Sequence, residues 1–218
     1  MNELLGKTDQ SPRSRRWPED DGHSTGVLRL LAASACLALV AAGAAHAHLP
    51  KMVTEPGVTR VERPEVSQAF YGELSGEPAM YEIESPDSFD LYVNILVPDE
   101  VGIPTDLSVT VTSGPDTVAV LDGPAHQWTK FYEPYGGDSY LVGPEHRVRV
   151  GPGTYVAAVA RPGNEGRYVF AVGEREEFTF KEVVRLVGVM PRLKQDFFHK
   201  APIRAFTDPF LSLFRRGE

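Results

Sequence analysis

The feature that most constrains this chain is a series of short segments in which apolar and polar residues alternate with a period of two, each closed by glycine or proline. Leu107-Ser108-Val109-Thr110-Val111-Thr112 alternates strictly, and Val66, Gln68 and Phe70 interleave with Ser67, Ala69 and Tyr71. Arg147-Val148-Arg149-Val150 alternates and runs into Gly151-Pro152-Gly153, after which Thr154–Ala160 begins. A period of two places successive side chains on opposite faces of a strand, so each segment has one face to bury. Short strands with regular turn signals argue for antiparallel pairing rather than a parallel sheet. The expected fold is therefore all-β, an antiparallel jelly-roll-like β-sandwich. Thr154–Ala160 and Arg167–Gly173, separated by Pro162-Gly163-Asn164-Glu165-Gly166, are expected to form a hairpin with a longer loop.

One segment breaks the alternation informatively. Phe89–Val97 is apolar on both parities, with Phe89, Leu91, Val93 and Ile95 on one and Tyr92 and Leu96 on the other, and Pro98 closes it. Such a run predicts a central strand covered on both faces. The second cover is expected from the C-terminal tail, where the period changes. Apolar residues at 180, 183, 184, 187 and 190 share one face of a helix that ends near Pro191, and Leu193–His199 fits a further helical turn. Beyond Pro202, Phe206, Phe210, Leu211, Leu213 and Phe214 stand among Arg204, Arg215 and Arg216. This basic, aromatic end suits docking on the sandwich, with peripheral membrane contact through residues 197–218 as the alternative. Arg204, Asp208 and Pro209 interrupt it too often for a spanning helix.

The N-terminus reads as an export signal occupying residues 1–47. Leu30–Ala45 is uncharged and apolar, Arg29 precedes it, and small residues end it, the three parts of a secretory signal. Residues 1–26 carry Glu19, Asp20 and Asp21 and are an unusual n-region; a start at Val27 gives an ordinary one. Cleavage after Ala47 leaves His48 as the first residue, and cleavage after Ala45 leaves His46-Ala47-His48. The lone cysteine, Cys36, leaves with the signal, which excludes a disulfide, a cysteine zinc site and an iron–sulfur cluster from the mature protein. A periplasmic or extracellular location, with membrane association as an option, follows.

Charge separates the mature chain into two parts. Residues 48–175, the sandwich domain, hold 9 Lys+Arg against 19 Asp+Glu, whereas the tail 176–218 holds 8 against 6. The whole chain has 22 Lys+Arg and 30 Asp+Glu, a balance that argues against nucleic-acid binding.

Gly153-Thr154-Tyr155-Val156 followed by Gly166-Arg167-Tyr168-Val169-Phe170 resembles the closing hairpin of bacterial pre-peptidase C-terminal domains. Gly72-Glu73-Leu74-Ser75-Gly76-Glu77, Tyr81-Glu82-Ile83 and Phe89-Asp90-Leu91-Tyr92-Val93 are similar to their opening half. The resemblance covers roughly residues 66–173. It implies a jelly-roll sandwich of the kind appended to secreted enzymes. The block Trp128–Tyr140 departs from that pattern. The mature chain as a whole is similar to a group of exported bacterial proteins, which implies an address and no activity.

Two constellations carry candidate chemistry. A mature N-terminal His48 offers an amine and an imidazole to one ion, a donor set suited to Cu(II), and His126 or His146 would have to complete a copper site. Ala45-His46-Ala47-His48-Leu49 resembles the start of periplasmic copper-resistance carriers. The second constellation is the aromatic and acidic block 128–146, read as a loop because of Gly136-Gly137 and Gly143-Pro144. There Trp128, Tyr132, Glu133, Tyr135, Asp138 and Tyr140 are candidate ligand-binding residues, for stacking on a sugar or receiving a cationic peptide. The competing reading has these aromatics closing one end of the sandwich. Glu133 and Asp138 also offer hard oxygens for calcium, without any EF-hand spacing. No Gly-x-Ser-x-Gly, His-Glu-x-x-His or phosphate-loop motif is present. The expectation is an exported, non-catalytic binding or accessory protein of the cell envelope, its partner an envelope protein or glycan and no cofactor required. The alternatives are a periplasmic copper-binding protein using His48, and an envelope enzyme with a cleft beside residues 128–146.

Overall fold

The computed structural model describes residues 48–134, 136–177 and 180–215, all within the unit Ala44–Glu218. The expected export signal, its expected cleavage sites and Tyr135 lie outside the described residues. Eleven strands alternate between two sheets. They are β1 (Leu49–Met52), β2 (Val58–Val61), β3 (Gln68–Ser75), β4 (Ala79–Ser85), β5 (Phe89–Pro98), β6 (Ser108–Ser113), β7 (Asp116–Leu121), β8 (Thr129–Glu133), β9 (Asp138–Val150), β10 (Gly153–Ala160) and β11 (Glu165–Val172). One sheet has the order β1-β3-β11-β5-β9-β8 and the other β2-β4-β10-β6-β7. The chain changes sheet at nearly every connection, the winding of a jelly-roll-like sandwich. After β11 come helix α1 (Phe180–Arg192), a π-helical turn (Leu193–Phe197) and helix α2 (Arg204–Arg215).

β5 confirms the double parity. It lies between β11 and β9, and its Phe89, Leu91, Val93, Ile95 and Val97 point between the sheets, all fully buried. Across from them Tyr81, Ile83, Val109, Val111, Ala157 and Val159 complete the main core. On the other face of the same sheet Leu96 joins a second cluster with Ala69, Tyr71, Tyr140 and Val169. Leu193, Phe197 and Phe198 of the tail cover that cluster, and Met190 of α1 packs against it. The two phenylalanine rings meet Tyr71 edge-on at centroid distances of 5.0 and 6.4 Å. Burying each such side chain contributes roughly 1.5–3 kcal/mol before ordering costs. Phe197 and Phe198 are thus spent inside the protein, which corrects their expected share in a membrane-facing segment. Among the described side chains, Ile203, Phe206 and Leu211 are the large apolar groups that the tail leaves exposed. No helix among the described residues is long and apolar enough to cross a membrane.

Three sequence-based expectations are corrected. β10 and β11 are not a hairpin: β10 pairs with β4 and β6, β11 with β3 and β5, so the turn between them crosses from one sheet to the other. The alternating pattern identifies the strands but not their partners, because both need one buried face in either arrangement. Two edge pairs, β1 with β3 and β2 with β4, are parallel. The block 128–146 is a genuine hairpin rather than a loop: β8 pairs with β9 from Thr129↔Val142 to Glu133↔Asp138. Gly143 and Pro144 form a β-bulge inside β9, where the register against β5 shifts between Asn94 and Leu96. The Asn94 amide fills the gap by donating to the Gly143 and Pro144 carbonyls, at 3.2 and 3.1 Å. Gly143 is required because a Cβ there would stand 2.6 Å from the Trp128 ring.

Candidate functional site

The β8–β9 hairpin, the end of β5 and the tail enclose a cleft of about 250 Å³. Its walls include Asp99 and Glu100 from the segment after β5, Tyr132 from β8, Ser139 from β9, and Phe198, Lys200, Arg204, Asp208 and Leu211 from the tail. Tyr132 is presented because β8 is an edge strand whose residues are mostly exposed. The tail reaches the hairpin because its π-helical turn seats Leu193 and Phe197 on the second core cluster, leaving the chain to reverse at His199, where φ is +51°.

Beneath the cleft lies an ionic floor that reaches its lining through Lys200, Arg204 and Asp208. Lys194, fully buried, donates from Nζ to the Gly136 carbonyl at 2.5 Å, to Asp138 Oδ2 at 2.7 Å and to Asp208 Oδ2 at 3.2 Å. Lys200 takes the other oxygen of Asp138 at 2.8 Å, and Arg204 lies 3.4 Å from Asp208 Oδ1. Lys194 and Lys200 also lie over the Phe198 ring. Gly137 makes this convergence possible. It has φ +70°, and a Cβ there would collide with Asp208 at 2.5 Å. Gly136-Gly137, which read as a loop signal, is the turn that lets α2 approach.

Beside this floor the Tyr71 and Tyr140 hydroxyls share a hydrogen bond of 3.0 Å. Burial pushes both phenols well above their usual range, and the nearby Glu133 and Asp138 charges push them further, so both stay neutral. The cleft carboxylates are matched by cations. Asp99 accepts from Lys130 at 3.0 Å, and Glu100 pairs with Arg167, which also donates to the Phe197 carbonyl.

The candidate ligand-binding residues do not share one exposed surface. Tyr132 lines the cleft. Trp128 is half-buried at the core edge and donates to the Gly123 carbonyl at 3.0 Å, and Tyr140 is buried against Tyr71 and Phe198. Glu133 accepts from the Gly136 amide within the turn, and Asp138 is enclosed between two lysines. The histidines are separated too. His48 precedes β1 at one edge, with Nδ1 2.5 Å from Ser67 Oγ; His126 lies between β7 and β8 at the opposite edge. His146 is on β9, four strands from β1, roughly 19 Å at the usual strand spacing. Among the described residues no three His, Cys, Asp or Glu side chains converge as a metal site. Lys194, Lys200 and Asp208 escaped sequence reasoning, since each reads there as a solvated charge on an amphipathic tail.

No family model matches the chain, and no curated protein does. Solved structures match part of the chain at low identity. The pre-peptidase C-terminal domain of a collagenase from Bacillus anthracis matches over 55% of this chain and 98% of its own length, at 14% identity and a TM-score of 0.37. A beta-glucosidase from Paenibacillus barengoltzii matches over 60% of this chain and 14% of its own length, at 10% identity and a TM-score of 0.26. Its own two sheets make the chain a β-sandwich protein, extended by a helical tail docked on one sheet.

Proposed function

We propose that this chain is an exported, non-catalytic binding protein of the cell envelope, and that the cleft between the β8–β9 hairpin and α2 receives an acidic glycan. The observation that carries this reading is the composition of the cleft wall, where the half-exposed ring of Tyr132 stands among Ser139, Lys200 and Arg204. An exposed ring offers an apolar face to a sugar, and the exposed Ser139 hydroxyl and Arg204, whose contact with Asp208 is long at 3.4 Å, offer donors to its oxygens and carboxylates. The non-catalytic part of the proposal draws on how the ionisable groups are used. Asp99, Glu100, Asp138 and Asp208 each face a lysine or arginine within the fold, so each acid is already neutralised. Export draws on the apolar run Leu30–Ala45 behind Arg29.

Titration of the full chain with soluble, carboxylate-bearing peptidoglycan fragments tests the site. Tyr132→Ala is expected to weaken binding by about tenfold, the loss of roughly 1.4 kcal/mol, while leaving the circular dichroism spectrum unchanged. Equal binding by the variant and the parent, or none by either, refutes the assignment of the cleft. Cell fractionation with an antibody against the folded domain tests the address, and recovery in the cytosol alone refutes it.

A further inference from the structure

The buried ionic floor is an unusual arrangement for charges whose only task is to hold a tail. Lys194 is 0% exposed, and Asp138 is 1% exposed. Transferring such a pair from water costs several kcal/mol per ion, which the mutual attraction offsets only in part. Amide formation removes both buried charges at once: the lysine nitrogen is a nucleophile, the carboxyl carbon its acceptor, and one water leaves. Here the two are held in contact at 2.7 Å by separate, rigid parts of the fold.

We propose that Lys194 and Asp138 become joined by an intramolecular isopeptide bond. The neighbouring groups stand where this reaction needs them. Asp208 Oδ2, 3.2 Å from Lys194 Nζ, is the base that carries two protons in turn from the attacking nitrogen to the departing oxygen. Lys200 Nζ, 2.8 Å from Asp138 Oδ1, faces the oxygen on which negative charge collects in the tetrahedral intermediate. The Gly136 carbonyl, 2.5 Å from Nζ, orients the amine. The Phe198 ring closes over the cluster and limits access of water. Lys194 Nζ forms a bond to Asp138 Cγ, the Cγ–Oδ2 bond breaks, and one water leaves. Oδ1 remains as the amide oxygen. No oxidant, reductant or activated donor is needed, since the effective concentration of two groups held in contact replaces chemical activation. The product is a covalent tie between the start of β9 and the turn before α2, joining positions 56 apart in sequence. The linkage locks the tail over the second core cluster and suits a protein that must endure outside the cell.

Tryptic digestion and tandem mass spectrometry of the full chain test this directly. The expected product is a branched peptide joining the segment that holds Asp138 to the one that holds Lys194, lighter than their sum by one water and uncleaved after Lys194. Lys194→Arg is expected to abolish both the branch and the water loss. Asp208→Asn, which retains a similar shape, is expected to slow or prevent linkage, with the two peptides recovered separately. Recovery of unlinked peptides at full mass from the folded parent chain after prolonged incubation overturns the proposal. So does a water loss at Asp138 that survives in Lys194→Arg, which would mark a cyclic imide formed with the following residue instead.

Discussion

The close approach of α2 to the β8–β9 turn makes Gly137 the position where one added carbon should matter most. Its φ of +70° is left-handed, and a Cβ there would lie 2.5 Å from Asp208 Cβ and 2.9 Å from the Asp208 carbonyl carbon. Neither atom is the far end of a flexible side chain, so α2 itself must move. The left-handed backbone costs a non-glycine residue roughly 1–2 kcal/mol, and overpacking adds about 1–3 kcal/mol. Gly137→Ala is therefore expected to cost about 2–5 kcal/mol in total. At about 2–4 °C per kcal/mol for a domain of this size, that corresponds to roughly 4–20 °C in Tm. Gly163→Ala is the matched control, since Gly163 has φ +79° and nothing within 4 Å of an added Cβ. It should carry the backbone penalty alone. Urea denaturation and amide hydrogen exchange of the full chain separate the two. Gly137→Ala should speed exchange across residues 193–215 while β5 and β11 remain protected, and Gly163→Ala should leave the tail untouched. Equal losses of stability in the two variants, with unchanged tail exchange in both, would refute the argument that this approach holds the tail.

Three further outcomes follow from particular contacts. Phe197 is 3% exposed and packs edge-on against Tyr71 and Phe198, so Phe197→Ala should cost about 3–5 kcal/mol in chemical denaturation. Tyr81 and Tyr168 share a buried hydroxyl–hydroxyl bond of 2.8 Å in the main core. Tyr168→Phe should cost about 1–3 kcal/mol by stranding the Tyr81 hydroxyl, and adding Tyr81→Phe should recover part of that loss, a thermodynamic cycle that checks the pairing. Asp106 accepts from Arg161 at 2.6 and 3.2 Å, and the Arg161 hydrogen bond holds its carboxyl below the usual carboxylate range. A depressed folded pKa stabilises above the unfolded value and is lost as pH falls through the folded one. Asp106→Asn should therefore flatten the fall in stability on acidification, read from Tm between neutral and acidic pH.

The strands were legible because their signal is local. Alternation at Leu107–Thr112 and the double parity of Phe89–Val97 are properties of successive residues, and the structure places both as expected. The edge strands β1 and β2, only four residues each, offered too few positions for a pattern. The hairpin β8–β9 was hidden by its own punctuation. Gly136-Gly137 and Gly143-Pro144 look like loop residues, yet one pair makes the turn and the other a bulge whose missing ladder is supplied by Asn94 from a different strand. Of the candidate site, Tyr132 was found by its exposed aromatic character. The cations that share the cleft with it were not, because a lysine in an amphipathic tail carries no mark of what it will meet.

By itself the sequence determined the period of each segment, the change of period at the tail and the acidic character of the body, all functions of near neighbours along the chain. The tertiary structure alone decided that β10 and β11 part into opposite sheets, since either sheet offers the same buried face and the choice rests on partners far away in sequence. It alone decided that Lys194 is interior rather than solvated. A buried charge is tolerable only beside its counterions, and those stand 56 residues before it and 14 after it.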